Sequence, residues 1–142
     1  MVIFDFEIDI PVFLSYISFM ENKILIIEDS ITNNDLLKTV FELQGWHVTQ
    51  AFDGNQGMFF LQNKPFDLAV IDLQLPHVHG TEIIDLTLAQ PVHPEIVVYS
   101  SSLQEHPELS CKPVFALCPK PMNIMDLVDI CRKALTKSAN KN

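Results

Sequence analysis

The feature that most restricts the fold is a rhythm. From Lys23 onward, short apolar runs alternate with stretches whose apolar residues recur at helical spacing. KILII (23–27), FDLAVID (66–72), EIVVYS (95–100) and VFALC (114–118) are nearly continuous apolar runs, and WHVTQA (46–51) reads as a further strand. A strand that is apolar on successive residues, rather than on every second one, is covered on both faces, which is the condition of a parallel sheet. Between the strands, ITNNDLLKTVFELQG places Leu36, Leu37, Val40, Phe41 and Gln44 on a helical period and stops at Gly45. DGNQGMFFLQN enters a helix from an Asp-Gly turn, GTEIIDLTLAQ (80–90) forms another, and NIMDLVDICRKALTK (123–137) ends in basic residues, as the helix dipole favours. In SLQEHPELSCK, Pro107 interrupts any helix. Strands alternating with helices predict an α/β fold, a doubly wound five-stranded parallel sheet with helices on both faces.

The chain has 142 residues, which suits one domain with a core of ordinary size. Its formal net charge of −9 and the lack of basic clusters argue against direct nucleic-acid binding, because phosphate contacts need clustered Lys and Arg. An anionic membrane surface is disfavoured on the same ground. Cys111, Cys118 and Cys131 form an odd set without CxxC spacing, which fits a reducing cytoplasmic setting better than a disulfide framework or a zinc site.

Residues 1–21 stand apart as an extension. In FDFEIDI, apolar Phe4, Phe6, Ile8 and Ile10 alternate with Asp5, Glu7 and Asp9, the period of a strand with one buried face. VFLSYISFM, after Pro11, is about half the length needed to span a membrane. The acidic opening does not match a secretory signal. An extra strand, a dimer-forming arm, or an unstructured leader upstream of a start at Met20 are the arrangements open to it.

In open parallel sheets, ligands gather beyond the carboxyl ends of the strands. Those ends carry Glu28 and Asp29, then Asp72, then Ser100 and Ser101, then Lys120. Right-handed crossovers would bring these loops onto one edge of the sheet. Three unneutralised carboxylates in one crevice repel one another, and a hard divalent cation relieves this; Mg2+ suits a site with few carboxylates and room for a phosphate. A carboxylate beside a metal can attack phosphorus to give an acyl phosphate, with the metal and Lys120 neutralising the transferring group.

ILIIEDS, AFDG, FDLAVIDLQLP with Gly80 eight residues after Asp72, the strand-end Ser100 and the Lys120-Pro121 pair, taken in order, resemble the receiver domain of two-component response regulators. The resemblance runs from about Asn22 to Lys137, leaving residues 138–142 as a short tail. It implies the flavodoxin-like strand order 2-1-3-4-5. It also implies Asp72 as phosphoacceptor and a Mg2+ site of Glu28, Asp29, Asp72 and the backbone carbonyl of Gln74. Ser100 would hydrogen-bond the phosphoryl group, Lys120 would pair with it, and the Lys120-Pro121 bond would be cis. The partners implied are a sensor histidine kinase or histidine phosphotransfer protein and a downstream protein target, with a homodimer also open. Two departures stand out. The family's switch aromatic lies three residues before the lysine, where this chain has Leu117, with Phe115 the nearest aromatic. The segment from Ser101 to Lys112, where the family has its fourth helix, is short and carries Pro107.

The function expected is a stand-alone phosphoacceptor module that signals through altered protein binding, not a classical enzyme. A degenerate receiver serving as a phosphorylation-independent adaptor is the alternative. A flavodoxin-like cofactor binder is a third class, opposed by Glu28 and Asp29, which would repel a phosphate lacking an intervening metal. Simpler roles compete residue by residue. Glu28 and Asp29 would help cap a helix, Ser100 alone would be a turn residue, and Lys120 alone a solvated lysine. His77 and His79 lack a matching third ligand and read as surface loop residues. The MFF triplet (58–60) reads as a packing helix face, and Cys118 as a buried strand residue.

Overall fold

A computed structural model describes residues 7–141. The element order is α1 (Ile10–Met20), β1 (Lys23–Ile27), α2 (Ile31–Leu43), β2 (His47–Ala51), α3 (Gly54–Asn63), β3 (Leu68–Ile71), α4 (Gly80–Leu88), β4 (Glu95–Ser100), β5 (Ala116–Pro119) and α5 (Ile124–Ala139). All five strands are parallel, in the order β2-β1-β3-β4-β5. The register pairs Ile27 with both Ala51 and Ile71, so the ends of β1, β2 and β3 lie level.

Because successive strand residues point to opposite faces, the apolar runs divide into two cores. Ile24, Ile26, Val70 and Val97 face α2 and α5, packing on Leu37, Phe41, Leu127 and Cys131. Leu25, Ile27, Ala69 and Ile71 face the other way, onto Ile83 and Ile84 of α4 and Met58, Phe60 and Leu61 of α3. Both faces of β1 are therefore covered, which is why KILII shows no alternation.

Each helix covering the sheet begins on a side-chain cap: Ser30 accepts from Asn33 N–H, Asp53 from Gln56 N–H, His79 from Thr81 N–H and Asn123 from Met125 N–H. At the end of α2, Gly45 takes φ 85°, a left-handed conformation that suits glycine.

Two expectations need correction. The alternating segment Phe4–Ile10 is not a strand where it is described: Glu7 to Asp9 are irregular, Asp9 caps α1, and Ile10 is its first residue, while Phe4, Asp5 and Phe6 lie outside the described residues. Alternation alone does not make a strand here, because Pro11 at the first turn suits a helix start and the Asp9 side chain caps it. The last strand starts two residues later and ends one later than expected, at Ala116–Pro119, so that it ends immediately before Lys120. The unclear segment forms two short 3-10 turns, Leu103–Glu105 and Pro107–Cys111, with Pro107 at the start of the second. In the MFF triplet, Met58 and Phe60 pack on the core whereas Phe59 is exposed.

Candidate functional site

The site is built by continuing the sheet's hydrogen bonding one residue past each strand. Glu28 N–H donates to Ala51 O at 3.0 Å, Asp72 N–H to Ile27 O at 3.0 Å, and Lys120 N–H to Ser100 O at 3.1 Å. The backbone of each strand end is thereby fixed against its neighbour, and the side chains converge on one edge. One ligand oxygen from each of Glu28, Asp29 and Asp72 can be chosen so that all lie within 4.8 Å of one another. Lys120 Nζ donates to Glu28 Oε1 and, at 3.0 Å, to Asp72 Oδ2, tying the first, third and fifth strand ends together. The Lys120-Pro121 peptide bond is cis.

Burial and charge act against each other here. Glu28 is only 3% exposed, and its desolvation is the leading influence on the carboxyl, pushing its pKa above the ordinary 4.5 although Lys120 pulls it down. Burial alone would lower the Lys120 ammonium, but its hydrogen bonds to Glu28 and Asp72, with the attraction of both carboxylates, hold it above the ordinary 10.5. Lys120 thus sets one positive charge against the carboxylates of this crevice. Asp29 is exposed at the rim.

The remaining expected residues fall nearby. Gln74 is exposed two residues beyond Asp72, and its N–H donates to Asp72 Oδ1 at 3.3 Å. Ser100 is fully buried at the end of β4 and exchanges a hydrogen bond with Ser102 Oγ at 3.1 Å. Leu117 packs against the α3/α4 core, and Phe115 against the α2/α5 core. His77 occupies a turn at φ 72°. His79 Nδ1 caps α4.

Two contributors were not singled out from the sequence. Asn34, wholly buried in α2, donates to Glu28 O at 2.9 Å and Ala51 O at 3.0 Å, and so fixes the acidic loop to β2. Its signal is a polar residue on the buried face of an otherwise apolar helical period. Tyr99 lies beside Lys120, whose Nζ is 5.1 Å from the ring centroid, a cation–π distance. Gly80, part of the motif, is required by close approach: a Cβ there would sit 2.5 Å from Leu73 Cα and inside contact distance of the Asp72 carbonyl.

Oxygen donors from two or three carboxylates at a solvent-reached edge fit a hard divalent cation such as Mg2+. A nearby ammonium completes a cradle for an anionic group. A model of the response regulator receiver domain matches residues 24–132, so the chain belongs to the receiver domain family of two-component response regulators. The sporulation initiation phosphotransferase F of Bacillus subtilis is 28% identical over 126 residues, covering 85% of this chain and 99% of that protein. The alkaline phosphatase synthesis transcriptional regulatory protein SphR of Synechococcus elongatus is 29% identical over 131 residues, 84% of this chain but only 51% of that protein. Among solved structures, a CheY-like receiver domain protein of Methanospirillum hungatei superposes with a TM-score of 0.79 at 24% identity, covering 86% of this chain and 99% of that one. A response regulator of Thermotoga maritima, described in complex with Mg2+-BeF, gives a TM-score of 0.73 at 19% identity over 80% of this chain and 98% of that one. These likenesses in shape carry the fold, and the family match carries the class of two-component signalling module.

Proposed function

We propose that this chain is a phosphoacceptor module that receives a phosphoryl group on Asp72 and signals by changing what it binds. The observation that carries the reading is the triad of Glu28, Asp29 and Asp72 oxygens within 4.8 Å, with Lys120 bridging two of them. Mg2+ held by Glu28, Asp29, Asp72 and the Gln74 carbonyl would neutralise the acids and offset the charge on the incoming phosphoryl group. Asp72 Oδ attacks phosphorus as the donor's bond to phosphorus breaks, giving an acyl phosphate. Lys120, already on Asp72, follows the charge onto the phosphoryl oxygens, and Ser100 donates to one of them. The phosphoryl donor is a sensor histidine kinase or a histidine phosphotransfer protein. A groove of about 320 Å3 lined by Leu36, Leu37, Tyr99, Pro121 and Ile124 reaches Lys120 and offers apolar surface for such a donor.

Residues 22–137 form the receiver unit, residues 1–21 an extension and 138–142 a tail. No helix among the described residues is long and apolar enough to cross a membrane, and the free cysteines suit a reducing cytoplasm. One observation favours the adaptor reading: Leu117 stands where the family's switch aromatic would be, partly buried and packed against the core. One experiment separates the two. Intact mass after incubation with acetyl phosphate is expected to show one added phosphoryl group that requires Mg2+ and disappears in Asp72→Asn. Labelling that persists in the variant would remove Asp72 as acceptor. Absence of labelling in the parent, and after incubation with active histidine phosphotransfer protein, would leave the adaptor.

A further inference from the structure

Ser100 and Ser102 form a buried hydroxyl pair beside the site. The two residues are 0% and 4% exposed, their Oγ atoms are 3.1 Å apart, and Ser102 N–H also donates to Ser100 Oγ at 3.3 Å. The main chain of Ser100 is held separately, its carbonyl accepting from Lys120 N–H at 3.1 Å, so the hydroxyl can turn without moving the strand. A serine hydroxyl has one proton to donate. A phosphoryl group is an acceptor, and the bond it takes is charge-assisted and stronger than one between two neutral hydroxyls.

The backbone of the segment beyond Ser102 is held by i→i+3 bonds: Glu105 N–H donates to Ser102 O at 3.1 Å, His106 N–H to Leu103 O at 3.0 Å, Leu109 N–H to His106 O at 3.1 Å and Lys112 N–H to Leu109 O at 3.1 Å. The two 3-10 turns, Leu103–Glu105 and Pro107–Cys111, have the less favourable hydrogen bonds of that geometry. They are tied down from outside, by Leu109 in the core, by Lys112 Nζ on Asp85 Oδ1 at 2.9 Å, and by the rings of His106 and His79, whose centroids are 5.1 Å apart. Ser102 is the point where this segment meets the strand-end hydroxyl.

We propose that Ser102 is a positioning residue whose Oγ accepts the Ser100 hydroxyl proton, latching it while Asp72 is unmodified, and that losing this partner on phosphorylation loosens residues 103–111. The latch gives the chain a switch that needs no aromatic side chain at position 117. It rests on the reading of Asp72 as phosphoacceptor and Ser100 as its hydroxyl partner. Removing the Ser102 hydroxyl frees Ser100 in advance, so a phosphoryl mimic no longer competes with it.

The test measures affinity for beryllofluoride with Mg2+ by intrinsic fluorescence or calorimetry, and amide exchange of residues 103–111 with and without the mimic. The parent is expected to bind, with faster exchange in that segment on binding. Ser102→Ala is expected to bind about 2- to 10-fold tighter, the equivalent of one neutral hydrogen bond, and to exchange fast before the mimic is added. Ser102→Thr, which keeps the hydroxyl, is expected to restore parental affinity. A parent that fails to bind removes the phosphoacceptor reading, and the latch with it. A parent that binds while Ser102→Ala is unchanged or weaker overturns the latch alone, as does a variant whose only change is a lower Tm.

Discussion

At the scale of single residues, the site gives up stability for chemistry at Glu28. Burial raises this carboxyl above its ordinary 4.5, so the folded state holds the proton to a higher pH than the unfolded chain does. A raised folded value contributes stability that is complete below the ordinary pKa and is lost as pH rises through the folded one. Above the folded pKa the ionised, buried Glu28 therefore counts against the fold, even with Lys120 on it. Glu28→Gln keeps the shape and removes the charge. It is expected to raise Tm at pH 7 and to flatten the fall in stability as pH rises above 4.5, while weakening Mg2+ binding by at least about tenfold, the scale seen when a metal site loses a supporting group. Thermal melts across pH and a Mg2+ titration check both halves. A lower Tm with unimpaired Mg2+ binding would mean that Glu28 is a structural partner of Lys120 rather than a metal ligand. The alkaline limb belongs to Lys120, whose raised value contributes stability that is lost as pH climbs past it.

At the scale of elements, contact between α4 and the end of β3 is set by Gly80. Its N–H donates to Leu73 O at 2.9 Å, which leaves no room for a side chain against the Asp72 backbone. Gly80→Ala must push α4 away from the strand end, an overpacking cost of about 1–3 kcal/mol, or a fall in Tm of about 3–10 °C for a chain of this size. Circular dichroism melts check this, and an unchanged Tm would show that the loop relaxes freely. This glycine was visible in the sequence as a spacing from Asp72, although its reason was not, because close approach between α4 and β3 is a tertiary fact. The strands and helices behind the site were legible for a local reason: the runs of β1, β3 and β4 are buried on both faces, so their apolar continuity survives in one dimension. The convergence of Glu28, Asp72 and Lys120 was legible because strand ends are where a parallel sheet exposes chemistry. Asn34 and Ser102 were not, since each acts through backbone or hydroxyl geometry created by folding. The 3-10 turns escaped for a related reason: Leu109 is pinned by the core rather than by any local helical period.

At the scale of the whole molecule, the two cores and α1 obey different physics. The cores bury residues such as Ile83 completely, whereas Phe13 and Leu14 on α1 remain 49% and 58% exposed. A helix of 11 residues is shorter than the ~12–15 at which isolated helices become even marginal in water, so its persistence owes more to its Asp9 cap than to burial. Stability should then be carried almost wholly by the sheet and its four covering helices. Replacing Ile83 by Ala removes buried methyl groups and leaves a cavity, with an expected cost of about 2–5 kcal/mol. The double change Phe13→Ser and Leu14→Ser takes away surface that is already half in water, and surface changes of this kind stay within about 0.5 kcal/mol each. Denaturant unfolding of the full chain is therefore expected to show a large loss for Ile83→Ala and almost none for the α1 pair. A loss of several kcal/mol in the α1 variant, appearing at high and low protein concentration alike, would mean that α1 packs on its own body. A loss that grows with protein concentration would mean instead that α1 stabilises an assembly of copies, because only association makes unfolding depend on concentration.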